Sequence, residues 1–244
     1  MLPCVILCGG LATRLRPATT KIPKSLLPVS GTPFIAHQLS LLKARGVLRV
    51  VLCVGYLGEQ ICDFVGNGSR FGLEVSYSFD GAKLLGTGGA IRHALPLLGN
   101  EFFVMYGDSY LTCDYRAVAH AFRLSGKPGL MTIYRNDGRY EASNIEAAAG
   151  QIIQYDKQNR TPRMRHIDYG LGIFTQTVFE VLPEDQPIDL AEIYQGLLTA
   201  GNLAAFEVNE RFYEIGSSHG IHALESYLAG GHDNSIEIPD RITL

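Results

Sequence analysis

Three clusters of residues in this 244-residue chain have types and spacings suited to phosphate chemistry. The first follows an apolar stretch, Leu2 to Leu7, and reads Gly9-Gly10-Leu11-Ala12-Thr13-Arg14-Leu15-Arg16, with Pro23-Lys24-Ser25 and Leu27-Pro28-Val29 behind it. Backbone N–H groups of a glycine turn converge on phosphate oxygens because no Cβ obstructs them, and a helix start adds its positive dipole end. Arg14 and Arg16 would bring two-pronged donors and Lys24 a point charge. A strand-to-helix turn with solvated basic residues is the plain alternative, and a glycine pair alone does not separate the two. No Gly-Lys-Ser/Thr closes the turn, so it is not a Walker A loop, and its spacing does not fit a dinucleotide GxGxxG.

The second cluster is Phe102-Phe103-Val104-Met105-Tyr106-Gly107-Asp108-Ser109. A carboxylate just past a buried strand sits where a hard cation bridges it to substrate phosphates, although an Asp there also simply caps a turn. The third is Leu85-Gly86-Thr87-Gly88-Gly89-Ala90-Ile91, where glycines ahead of a helical pattern let a nucleobase and ribose press against backbone. A tight helix entry is its alternative reading. Lys83, just ahead, would donate to a carbonyl-bearing base edge such as that of guanine or uracil; a solvated lysine is the other reading.

Taken in order and spacing, these elements resemble the sugar-1-phosphate nucleotidyltransferases, the nucleotide-sugar pyrophosphorylases. The resemblance covers roughly Met1 to Leu228 and the family's short form, without a β-helix or acetyltransferase extension. Gly66-x-Gly68-Ser69-Arg70-Phe71-Gly72 and Gly86 to Ala90 are most similar to heptose-1-phosphate guanylyltransferases and muramate-1-phosphate uridylyltransferases. The resemblance implies catalytic roles for Arg14 and Lys24, and nucleotide binding by Leu7, Gly9, Gly10, Thr13, Lys83, Gly86, Thr87 and Gly88. It implies Mg²⁺ ligation by Asp108 and by Glu214, which stands in Phe212-Tyr213-Glu214-Ile215-Gly216 where the family carries Asp. The extra methylene still permits oxygen ligation, with a displacement of about 1 Å. For the sugar phosphate it implies Asn144, Lys157, Asp168 and Gly170. Gln158 stands where the family has Pro, and Ser143-Asn144 where it has Gly, departures that bear on the sugar more than on the chemistry.

The elements that must position these residues follow from periodicity. Strand patterns fall at Val5–Leu7, Val50–Val54, Glu74–Tyr77, Phe102–Tyr106, Gly129–Tyr134, Ala142–Ala147, Ile152–Tyr155, Leu171–Phe174 and Leu203–Glu207. Helical patterns fall at Ile35–Arg45, Gly58–Val65, Gly88–Leu97, Arg116–Leu124, Thr177–Val181, Ala191–Ala200 and Ser217–Leu228. Such alternation predicts an α/β fold, a Rossmann-like three-layer α/β/α sandwich with a mainly parallel mixed sheet. Ligands in such sheets bind beyond the carboxyl ends of strands, so the three clusters would meet at one rim. Residues 1–230 read as one nucleotidyltransferase domain, with a β-rich insert at about 137–166 as a cleft wall and 231–244 as a polar tail.

With 46% hydrophobic and 18% charged residues, the chain can bury a sizeable core. A net charge of −3 argues against nucleic acid or an anionic membrane surface as partner, so any phosphate affinity must be local. No apolar run reaches the roughly 20 residues a spanning helix needs, and Leu2 to Leu7 has no basic region before it, which predicts a cytoplasmic protein. Five cysteines without a CxxC pair read as buried thiols. His219 and His222 lack a third ligand at a recognisable spacing, and no Gly-x-Ser-x-Gly elbow occurs. The expected reaction joins a nucleoside triphosphate to a sugar 1-phosphate and releases pyrophosphate, with GTP and a heptose or hexose 1-phosphate as the leading pair. A UTP- or CTP-dependent relative and a non-catalytic nucleotide-sugar sensor are the alternatives, and a homo-oligomer is left open.

Overall fold

Every second residue of the first strand, β1 (Cys4–Leu7), feeds a different core. Cys4 and Ile6 pack into one apolar cluster and Val5 into another, because strand side chains alternate between faces. In this computed structural model, which describes residues 1–184, 186–230, 236, 238 and 239, β1 therefore lies inside the sheet. It is flanked by β4 (Arg49–Val54) and β6 (Glu101–Tyr106), both parallel to it, with Cys4 opposite Val50 and Phe103.

Before β4, a hairpin of β2 (Pro28–Val29) and β3 (Thr32–Pro33) turns on Ser30 and Gly31, both at positive φ, and leads into α1 (Phe34–Ala44). After β4 come α2 (Gly58–Val65), β5 (Glu74–Phe79) and α3 (Gly86–Ala94). After β6 come β7 (Ser109–Leu111), α4 (Tyr115–Ser125) and β8 (Gly129–Arg135). The remaining elements are β9 (Ile145–Ala148), β10 (Gln151–Tyr155), β11 (His166–Thr175), α5 (Thr177–Glu180), α6 (Leu190–Thr199), β12 (Leu203–Val208), β13 (Phe212–Glu214) and α7 (Ser218–Ala229).

The main sheet runs β5-β4-β1-β6-β11-β8-β12. β11 is antiparallel to both its neighbours, β6 and β8, whereas the other pairs in this row are parallel. The first half of β11 meets β9 at His166, and β10 pairs with β9, so the expected insert continues the sheet as a second wing. Helices α1, α2 and α4 cover one face and α3, α5 and α6 the other, which is the expected three-layer sandwich. The strand at 171–174 is longer than its sequence pattern, because Asp168 and Gly170 interrupt the alternation at a register shift between Asp168 and Gly172. α3 starts at Gly86, two residues ahead of expectation, and a short 3₁₀ turn at Leu95–Leu97 ends the segment. The ribbon of β7 and β13, which places Glu214 opposite Ser109, has three residues per strand, too few to show a period.

On the α5–α6 face, Phe174 is fully buried, its ring 5.2 Å from that of Phe179 and 5.0 Å from that of Tyr194. Phe174→Ala is expected to lower unfolding stability by about 3–5 kcal/mol through the cavity it leaves, read as a shift of the urea midpoint at unchanged slope.

Candidate functional site

Four parallel strands deliver their carboxyl ends to one cleft of about 380 Å³. Asp80 follows β5, Gly55 follows β4, Cys8 and Gly9 follow β1, and Gly107 and Asp108 follow β6. The Cys8 N–H donates to the Cys53 carbonyl at 2.8 Å, after which β1 and β4 part around their glycines. A Cβ on Gly9 would stand 3.2 Å from the Gly55 nitrogen and 3.3 Å from Asp80 Oδ2, and one on Gly55 only 2.9 Å from the Gly9 carbonyl oxygen. Among the described residues no acceptor pairs with the N–H of Gly9 or Gly10, which leaves both free to donate to an anion. Ala12 then takes a left-handed turn (φ 48°) into the 3₁₀ segment Thr13–Leu15, and the Thr19 hydroxyl donates to the Ala12 carbonyl at 2.8 Å. Leu7, Gly9, Gly10 and Thr13 all line the cleft. Arg14 lies in the same 3₁₀ turn, with its side chain outside the described residues.

Lys24 opens a second 3₁₀ turn, with Pro23 before it in extended conformation. Its ammonium lies 2.5 Å from Asp108 Oδ2, and both residues line the cleft. The Asp108 turn is held from below by a residue that sequence reading did not single out. Gln38 of α1, fully buried, donates to the carbonyls of Tyr106 at 3.0 Å and Ser109 at 2.7 Å, gripping the turn on both sides. Nothing in a helical Gln among apolar residues marks it beforehand, since its partners are 68 and 71 residues away.

Glu214 reaches the same place from β13, and the Ile215 N–H donates to the Asp108 carbonyl at 3.0 Å. Its carboxylate accepts from the Gly216 N–H and from the Ser217 hydroxyl. Burial pushes its carboxyl above the ordinary glutamate value, the neighbouring charge of Asp108 adds to this, and Lys24 opposes it. Two carboxylates of hard oxygens thus repel each other beside one lysine. That donor set suits Mg²⁺, which takes one or two protein carboxylates and keeps its waters.

At the far end of the cleft, Leu84, Gly86, Thr87 and Ala90 form the wall. The Thr87 hydroxyl accepts from the Leu190 N–H at 2.7 Å and donates to Asp189, tying the start of α3 to that of α6. Lys83 is exposed, and the chain lines the cleft from Leu84 onward. Gly88 serves packing: its N–H donates to the Ile188 carbonyl at 2.7 Å, and a Cβ there would stand 2.6 Å from Ile193. The cleft also presents Asp80, whose carboxylate accepts from the Leu85 N–H at 3.2 Å. Its position directly after a strand was a usable signal that the glycines downstream overshadowed.

Asn144, Lys157, Asp168 and Gly170 come together on the insert side. The Asp168 N–H donates to Asn144 Oδ1 at 3.1 Å, the Gly170 N–H to Asp168 Oδ1 at 3.0 Å, and the Tyr155 hydroxyl to Asp168 Oδ2 at 3.4 Å. Gly170 (φ 101°) lies in the bulge between Asp168, which pairs with Ile133, and Gly172, where the ladder resumes opposite Met131. Burial raises the Asp168 carboxyl, and Lys157 partly offsets this. The Lys157 ammonium lies 3.5 Å from the Tyr106 hydroxyl, and Tyr106 also lines the cleft, so this side chain joins the two groups. Arg139, by contrast, pairs with Asp137 at 3.6 Å in an exposed arginine cluster.

The site thus combines, at the carboxyl rim of a three-layer α/β sandwich, glycine N–H groups without an acceptor among the described residues, a lysine–aspartate pair and a second group of lysine and carboxylate. The chain belongs to the Nucleotidyl transferase family, whose sequence profile matches residues 4–217. It is 42% identical over 114 residues to the N-acetylmuramate alpha-1-phosphate uridylyltransferase of Neisseria meningitidis serogroup B, covering 46% of this chain and 49% of that one. It is 37% identical over 110 residues to the D-glycero-alpha-D-manno-heptose 1-phosphate guanylyltransferase of Campylobacter jejuni, covering 45% and 49%. With the glucose-1-phosphate thymidylyltransferase of Streptomyces griseus it shares 28% identity over 204 residues, 81% of this chain and 57% of that one. The matched regions thus span about half to three-fifths of these curated relatives. Among solved structures, HddC from Yersinia pseudotuberculosis complexed with GMP-PN superposes with a TM-score of 0.77 at 25% identity, covering 93% of this chain and 100% of that one. No helix among the described residues is long and apolar enough to cross a membrane.

The raised Asp168 carboxyl has a testable consequence. A folded state that holds a proton more tightly than the unfolded chain is favoured at low pH, and that advantage is lost as pH rises through the folded value. Asp168→Asn removes the buried charge, so its thermal midpoint is expected to exceed that of the wild type by about 2 °C or more near pH 8. The gap should close as pH falls through the folded value, where the wild-type carboxyl takes up its proton. Differential scanning calorimetry over a series of falling pH values from about 8 checks the sign.

Proposed function

We propose that this chain joins a nucleoside triphosphate to a sugar 1-phosphate, releasing pyrophosphate and forming a nucleoside diphosphate sugar. The observation that carries the reading is the Lys24–Asp108 pair at the rim, between the glycine-lined cleft and the Tyr106–Lys157–Asp168 group. One half suits a triphosphate and the other a phosphorylated sugar. The named relatives support it, since uridylyl-, guanylyl- and thymidylyltransferases all act on sugar 1-phosphates and differ in the base.

In the reaction, a phosphate oxygen of the sugar 1-phosphate forms a bond to the α-phosphorus as the bond to the bridging oxygen of pyrophosphate breaks. Such a displacement needs alignment and charge neutralisation more than an acid or base. Lys24 has three N–H donors and spends one on Asp108, leaving two for phosphate oxygens. The free N–H groups of Gly9 and Gly10 would hold the phosphate chain, and Arg14 would stabilise the leaving pyrophosphate. Lys157 would bind the sugar phosphate, with Asp168 and Asn144 taking sugar hydroxyls. Mg²⁺, held by Asp108 and Glu214, would supply positive charge to the phosphates. A heptose or hexose 1-phosphate is the sugar substrate in this reading, and the cytoplasm, with its nucleoside triphosphates, its site of action.

A coupled pyrophosphate-release assay over four nucleoside triphosphates and a panel of sugar 1-phosphates tests the proposal; release with one pair is expected. Nucleotide binding without release from any pair would favour a sensor instead. With the active pair, Lys24→Ala, Arg14→Ala and Asp108→Asn should each lower turnover by about 10²- to 10³-fold while still unfolding in one cooperative thermal transition. EDTA should abolish release and added Mg²⁺ restore it; turnover that survives chelation would remove the metal from the scheme.

A further inference from the structure

A fully buried amide stands behind the charged end of the cleft. Gln38 lies on α1 among the core residues Ile35, Leu39 and Leu42. Its NH₂ group uses both hydrogens, one on the Tyr106 carbonyl at 3.0 Å and one on the Ser109 carbonyl at 2.7 Å. Carbonyl oxygens only accept, so these two partners settle which end of the amide is the nitrogen. Its Oε1 has no hydrogen-bond partner among the described residues. A buried acceptor left without a donor detracts from stability, so the two donated bonds are what the amide contributes.

Those bonds bracket the residues that carry charge. Tyr106 ends β6 and Ser109 begins β7, so one amide spans the turn at Gly107 and Asp108. Ser109 also stands opposite Glu214 in the β7–β13 ribbon, which ties the same amide to the strand pair that carries the second carboxylate. Other partners close the turn from the remaining sides: the Gly107 N–H donates to the Leu7 carbonyl at 3.0 Å, and the Asp108 carbonyl accepts from the Ile215 N–H at 3.0 Å. Next to Gln38, His37 Nε2 donates to the Val29 carbonyl at 3.0 Å, and the Phe34 N–H at the start of α1 donates to the Leu27 carbonyl at 3.0 Å. The helix is therefore a strut between the segment that follows Lys24 and the turn that carries Asp108. Held this way, Asp108 presents Oδ2 to the Lys24 ammonium at 2.5 Å and Oδ1 to the Ser109 hydroxyl at 3.3 Å.

Mg²⁺ demands a near-ideal octahedron and gives up its waters reluctantly, so it tolerates little error in where protein carboxylates stand. Groups that orient such a carboxylate without touching the ion set its affinity nearly as strongly as the ligands do. We infer that Gln38 is a positioning residue for the divalent cation: by holding the Tyr106 and Ser109 carbonyls at a fixed separation, it keeps Asp108 in register with Glu214 and Lys24. This rests on the reading of Asp108 and Glu214 as metal ligands and adds to it a residue of the helical layer.

Mn²⁺, read by its electron paramagnetic resonance signal in place of Mg²⁺, tests this on the whole chain. Gln38→Met keeps the length of the side chain and removes both donors. It is expected to bind Mn²⁺ about 10- to 100-fold more weakly than the wild type. In pyrophosphate release with the active pair, the Mg²⁺ concentration for half-maximal rate should rise by a similar factor, while the rate at saturating Mg²⁺ returns to within about threefold of wild type. Should Gln38→Met not fold, Gln38→Glu, which keeps the shape and at most one donor, carries the same test and the same expected direction. Unchanged Mn²⁺ affinity would overturn the inference. So would a loss of rate that excess Mg²⁺ does not restore, the mark of a merely structural amide; either result leaves the nucleotidyltransferase reading intact. A wild-type chain that binds no Mn²⁺ would overturn the inference together with the metal assignment, and pyrophosphate release in EDTA would then show whether the reaction itself survives.

Discussion

Gly9, Gly55 and Gly107 set the carboxyl ends of β1, β4 and β6 so close together that a Cβ on Gly55 would stand 2.9 Å from the Gly9 carbonyl oxygen, and one on Gly107 2.6 Å from that of Leu7. The rim of the sheet is therefore bare backbone. That constraint opens the cleft and leaves the Gly9 and Gly10 N–H groups without acceptors among the described residues, with Asp80 and Asp108 both in the lining. Alanine at Gly55 or Gly107 would push apart strands that are otherwise buried on both faces, so packing of the sheet and shape of the site rest on the same atoms.

Charge at the rim is arranged against the interest of the empty protein. Asp108 and Glu214 repel each other across the ribbon of β7 and β13, with Lys24 as the compensating charge, and burial holds Glu214 above its ordinary range. Asp168 is likewise held up by burial beside Lys157. Groups of this kind lower stability in exchange for a prepared electrostatic field, and they cluster where a ligand of opposite charge completes the balance.

The two halves of the site are joined by one side chain and one irregularity. Tyr106, last residue of β6, lines the cleft and meets Lys157, while Asp168, at the edge of the bulge in β11, donates its N–H to Asn144 and accepts from Tyr155 on its carboxylate. Because β11 pairs with β6 in one half and β9 in the other, the insert is built onto the sheet rather than hung from it. Its residues are thereby held at a defined offset from the strands that deliver Asp108.

Local pattern was enough for the α/β class, the paired strands and helices, the glycine turn, Lys24, Asp108 and Gly86–Thr87, since alternation, glycine freedom and charge type are properties of neighbouring residues. The family's motif order carried Glu214 and the sugar-side residues, which periodicity alone would not single out. Only the folded chain decided that Lys83 is exposed while Asp80 lines the cleft, that Gly88 packs against Ile188, and that Gln38 holds the Asp108 turn. Each of these depends on contacts between segments tens of residues apart. A short polar side chain looks alike in sequence whether it faces water, a carbonyl or a base; what it faces is set by the register of β5 on β4 and β13 on β7, which no single stretch of the chain encodes.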